Sequence, residues 1–99
     1  MPAFDWFKER SEFNLNYAKK FLDIAKETSA NAVGAEEKML AEQAIEEADI
    51  AIQLLSDAIA TGNTDEGQEL EREGLEAIRQ CELQIKLAED AKANFANKP

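Results

Sequence analysis

The sequence predicts an all-α fold, an up-down-up antiparallel three-helix bundle, and two observations carry the prediction. The 99 residues are interrupted only at Ser29-Ala30-Asn31-Ala32-Val33-Gly34 and at Thr61-Gly62-Asn63-Thr64-Asp65-Glu66-Gly67. The three stretches around these breaks are long and repeat their apolar residues at three- and four-residue steps, the spacing of one face of a helix. The expected helices cover about 3–29, 35–61 and 64–96 within a single domain, 1–99. Short turns between long helices favour antiparallel neighbours, in a rod roughly 40 Å long at 1.5 Å per residue.

The first helix has two candidate starts, Pro2, which a first turn tolerates, and Asp5, which can cap through its side chain. Steps of about 100° place Phe7, Leu15, Ala18, Phe21, Leu22 and Ala25 on one arc, and Trp6, Phe13, Tyr17 and Ile24 widen it on one side. The apolar surface then covers roughly half the cylinder, more than the ~100° one core face needs. Arg10, Ser11 and Asn14 fall inside the arc. Each would cost about 1–3 kcal/mol if buried without a partner, so that end of the bundle is open to water or supplies polar groups from another helix.

The second helix is the expected centre of packing. Leu40, Ala41, Ala44, Ile45, Ala48, Ala51, Ile52, Leu55, Ala58 and Ile59 share one face, and the alanines allow a neighbouring backbone to come close. Gly34 with Glu37 makes a helix start, Glu36 and Glu37 suit the positive end of the helix dipole, and Gly62 supplies a left-handed stop. The third helix can be capped by Asn63, Thr64 or Asp65, with Asn63–Glu66 and Asp65–Gln68 as capping boxes. Its core line is Leu70, Gly74, Ala77, Ile78, Cys81, Ile85, Ala88 and Phe95. Cys81 reads as a small buried hydrophobe. The helix order and lengths are similar to those of a spectrin repeat, in architecture alone: the third helix has no tryptophan and no family signature is present.

Charge divides the chain unevenly. Of the net −10, residues 1–30 carry none, 31–61 carry −6 and 62–99 carry −4. On the third helix Glu69–Arg72, Arg72–Glu76 and Glu82–Lys86 can neutralise one another locally. On the second, Glu42, Glu46, Asp49 and Asp57 form an acidic ridge opposite the alanines, with only Lys38 nearby. Three readings fit that ridge: a solvated face, a surface for a basic protein, or an imitation of nucleic acid, since acids ~4.5–6 Å apart approach the phosphate spacing of one strand.

Catalysis is not expected. Without histidine, neither a Glu-x-x-His di-metal site nor a phosphorelay can be built, and zinc would find only Cys81. The Asn63–Glu66 turn lacks the alternating ligands of a calcium loop, and neighbouring acids on a helix diverge by about 100°. No cofactor, metal or direct nucleic-acid binding is expected. The start lacks a secretory pattern and no stretch reaches the ~20 apolar residues of a membrane span, so a cytoplasmic protein is expected, consistent with an unpaired cysteine.

The remaining candidate is apolar. Phe4, Trp6, Phe13, Tyr17 and Ile24, with Leu83 and Leu87 one turn apart on the third helix, are the expected contacts for a protein partner or a second copy. The plainer alternative makes the aromatic start a plug closing one end of the core. The expected role is a non-catalytic interaction or accessory module working through its first helix; the alternative is an acidic inhibitor that occupies the groove of a basic nucleic-acid-binding protein.

Overall fold

A computed structural model describes residues 5–97. It is a three-helix bundle, with α1 at Trp6–Ala30, α2 at Ala35–Thr61 and α3 at Asp65–Ala96. α1 begins at Trp6 with Asp5 as its cap, the carboxylate accepting from Lys8 N at 3.0 Å; the other candidate start, Pro2, lies outside the described residues. α2 starts after Gly34 and stops at Gly62, whose φ is +86°. Its ψ of −175° puts Gly62 in a mirror-extended conformation rather than a left-handed helical one, a region open essentially to glycine alone. Thr64 caps α3, accepting from Gly67 N at 3.1 Å. Neither expected capping box forms; Gln68 instead donates to Asn63 Oδ1 at 2.8 Å.

α2 packs against both neighbours, whereas α1 and α3 touch each other much less. The reason is the sequence of α2. Its buried residues Glu37, Ala41, Ala44, Ala48, Ala51, Leu55 and Ala58 follow an unbroken four-three alternation, and all but two are alanine. Such a column lets helices approach to the short end of the usual 8–10 Å range. On α3 the same alternation runs through Gly67, Glu71, Gly74, Ile78, Cys81, Ile85 and Ala88, all buried. Gly74 belongs there because a Cβ at that position would lie 2.7 Å from Leu55 Cγ.

The core has two clusters. Ala18, Ala51, Leu55, Ala77 and Ile78 form one, and Ala25, Ala44, Ala48, Cys81 and Ile85 the other. Phe21 packs against both and bridges them. Cys81 is fully buried, as expected, and burial first, then the fields of Glu47 and Glu82, push its thiol up to about 11.

Two expectations need correction. α3 has 32 residues, about 48 Å at 1.5 Å per residue, so the rod is longer than 40 Å. Phe95 does not extend the core line but lies exposed at the end of α3, its ring beside Gly34. It is placed beyond Ala91, the last buried residue of α3, where only the α1–α2 turn remains to cover it.

Candidate interaction surface

Trp6, Phe13, Tyr17 and Ile24 recur on α1 at steps of seven, four and seven, which keeps them within about 40° of one line along the helix. That line is turned away from the buried column of Phe7, Ser11, Ala18 and Ala25 by roughly one residue's rotation, about 100°. The consequence is exposure: Trp6 is 52%, Phe13 69%, Tyr17 42% and Ile24 44% accessible. Trp6 and Phe13 therefore do not plug the bundle. Phe7, 1% accessible, fills that end instead. Phe4 lies outside the described residues.

The upper end of this stripe is held from α3. Glu71 is buried, and its carboxylate accepts from Arg10 Nε at 3.0 Å, from Arg10 Nη2 at 2.6 Å and from Ser11 Oγ at 3.0 Å. These are the polar partners that Arg10 and Ser11 require. The two-pronged contact fixes the plane of the guanidinium, and the hydrogen bond to Glu71 holds its pKa above the ordinary arginine value. Arg10 Cζ in turn sits 4.8 Å from the centroid of the Trp6 ring and 5.7 Å from that of Phe7. A buried acid on α3 thus orients an arginine, and the arginine orients an exposed tryptophan.

Further along, the Tyr17 ring meets Phe21 edge-on at 4.9 Å, which ties the middle of the stripe to the core. Ile24 borders a shallow cavity of about 220 Å³ between the far ends of α1 and α3, with Glu27, Glu37, Glu89 and Lys92 among its walls. A wider depression of about 500 Å³ lies beside Trp6 and Arg10 and is completed by Asp65, Gln68, Glu69 and Arg72. Both of its arginines are already paired, Arg10 with Glu71 and Arg72 with Glu69, so it offers no free cation to an anionic ligand.

The other candidates fall elsewhere. Leu83 and Leu87 are exposed but not continuous with the α1 stripe; Leu87 lies beside Glu36 and Leu40, on the side of α3 next to α2. Glu42, Glu46, Asp49 and Asp57 are all exposed along α2. Glu42 has Lys38 Nζ at 3.9 Å, and Asp57 accepts from Gln53 at 3.0 Å. On α3, Glu76 pairs with Arg79 at 3.2 Å, because Arg72 is already taken by Glu69. Among the described residues no cluster of histidine, cysteine and acids could hold a metal ion, and no helix is long and apolar enough to cross a membrane.

Glu71 and Glu37 are the residues that hydropathy reading passes over. Glu37, 3% accessible, accepts from Val33 N at 3.1 Å and closes the turn before α2. Both acids occupy the buried four-three columns of their helices, so register marks them where residue type does not. No family model, no curated protein and no solved structure matches the chain. The stripe on α1, organised from behind by Glu71, is the surface on which a functional reading rests.

Proposed function

We propose that this protein is a non-catalytic helical interaction module that binds another protein surface through the exposed stripe of α1. One observation carries the reading: four large apolar side chains stand in line on a helix whose own core column is satisfied without them. Ordinary monomers scatter such residues singly, and aromatic residues anchored in this way dominate binding energy at interfaces. The charge balance supports the same face. α1 belongs to the only third of the chain that is neutral, so a partner meets no net repulsion there. The lone Cys81, buried and slow to ionise, suits a reducing cytoplasm.

The acidic ridge of α2 gives the second reading, an inhibitor that fills the groove of a basic nucleic-acid-binding protein. It is supported by the exposure of Glu42, Glu46, Asp49 and Asp57 along one helix. Affinity capture from the native host separates the two. Changing Trp6 and Phe13 to Ser should abolish capture while helix content, read by circular dichroism, stays the same. Loss of capture on changing Glu42, Glu46 and Asp49 to Gln, with steep salt dependence, would favour the ridge.

A further inference from the structure

The α1 stripe is a palindrome. Trp6 and Ile24 lie equally far on either side of Leu15, and so do Phe13 and Tyr17. A two-fold axis across the helix at the level of Leu15 therefore brings Trp6 onto Ile24 of a second copy and Phe13 onto Tyr17 of that copy, at both ends alike. A symmetric pairing of this kind is the commonest way identical chains associate.

Charge beside the stripe selects the same arrangement. On the flank turned away from α3, Glu9 precedes the midpoint and Lys20 follows it, and both are exposed. A perpendicular two-fold axis sets each flank against itself with direction reversed. Glu9 then stands within about 1.5 Å, one residue's rise, of the level of Lys20 in the second copy. Parallel pairing would instead set this flank against the opposite one, where Glu9 meets an Arg10 already held by Glu71 and Lys20 finds no acid at its level. Arg10 lies on the other flank, held to α3 by Glu71, and does not meet Lys20.

The area is adequate. With aromatic side chains offering about 150–250 Å² each, the accessible parts of the four stripe residues sum to roughly 400 Å² per copy. That is about half of the ~800 Å² each partner contributes to a standard interface, close to the apolar share such interfaces carry. The net charge of −10 per copy opposes association through α2 or α3 and leaves α1 as the face where two copies can meet.

From this juxtaposition we propose that the occupant of the stripe is a second copy of the chain, bound antiparallel through α1 about an axis at Leu15, with Glu9 of each copy against Lys20 of the other. The proposal rests on the docking reading of the stripe given above. Its test uses the whole chain in two forms, Glu9→Cys and an epitope-tagged Lys20→Cys, mixed and mildly oxidised. The native Cys81 is buried with its thiol pushed up to about 11 and stays silent. The expected product is the mixed disulfide, in excess of either homodisulfide and lost when Phe13→Ser is added. Charge reversal gives an independent arm: Glu9→Lys or Lys20→Glu alone weakens the dimer about tenfold, and the two together restore it.

Homodisulfides in excess of the mixed one would overturn the antiparallel register. A chain that sediments as a monomer up to roughly 1 mM would overturn self-pairing. A monomer that still captures another protein through Trp6 and Phe13 overturns the proposal alone, whereas association indifferent to both residues overturns the docking reading beneath it.

Discussion

Arg10 and Glu71 are separated by 61 residues in sequence and by 2.6 Å in space, and among the described residues Glu71 makes the only side-chain hydrogen bonds that join two helices. α1 and α3 otherwise meet sparingly. The contact therefore secures from α3 the rotation that packing against α2 gives α1, and with it the direction in which the stripe faces.

Arg10→Met should both destabilise the bundle and loosen Trp6. It leaves the Glu71 carboxylate buried with Ser11 as its remaining side-chain donor. A fully buried pair broken this way costs about 3–5 kcal/mol, and because Arg10 is half exposed we expect about 2 kcal/mol. Trp6 is the one tryptophan, so its emission reports the site directly: a red shift and lower anisotropy should accompany the lower urea midpoint. Replacing both Arg10 and Glu71 by Met should recover most of the stability but not the Trp6 signal. Unchanged emission in Arg10→Met would show that the arginine does not orient the ring.

Gly74→Ala should lose about 1 kcal/mol even though alanine is the better helix former. The new Cβ meets Leu55 at 2.7 Å, and Leu55 is fully buried, so it has no free space to move into. Overpacking costs about 1–3 kcal/mol, against a propensity gain of about 1 kcal/mol. In a Leu55→Ala background the clash is gone and the same substitution should stabilise. Denaturant unfolding of the four chains in that cycle measures the coupling; additivity would mean that the two positions do not touch.

The helices, their order and the alanine face of α2 were legible because apolar spacing and two clusters of turn residues report them directly. The orientation of α1 was not. Its apolar arc covers half the cylinder, and no periodicity says which part of a wide arc turns inward. Packing decides it: against the alanine column of α2 the seam buries Phe7, Ser11, Ala18 and Ala25, with Leu15, Phe21 and Leu22 packed at its edges. Trp6 and Phe13, turned about 100° from that seam, stand outside it. Glu71 was hidden for the opposite reason, because a carboxylate reads as surface until its column is followed through Gly67, Gly74 and Ile78. Leu83 and Leu87 share a helix with Glu71 but face elsewhere, a separation that depends on where α2 lies.

Gln84→Met should stabilise the protein by about 1 kcal/mol. Gln84 Oε1 is buried without a hydrogen-bond partner, and an unmet acceptor of this kind carries its desolvation cost with no return. Methionine keeps the length and flexibility of the side chain and removes the acceptor. Thermal unfolding of the two chains is sufficient to measure the difference; an equal or lower midpoint would mean that the oxygen is satisfied in solution.

Cys81 should make the fold sensitive to alkali. Its thiol is raised from 9.0 to about 11, chiefly by burial, so the folded chain keeps a proton that the unfolded chain releases. Stability falls wherever the native state binds more protons than the unfolded state. The loss therefore begins near pH 9, grows to about pH 11 and levels off above it, and at 1.36 kcal/mol per pH unit it totals roughly 3 kcal/mol. The difference between wild type and Cys81→Ala isolates the thiol. Urea unfolding at a series of pH values should show the wild-type curve falling away from that of Cys81→Ala between those limits. Parallel curves would mean that the thiol ionises as readily in the folded chain as in the unfolded one.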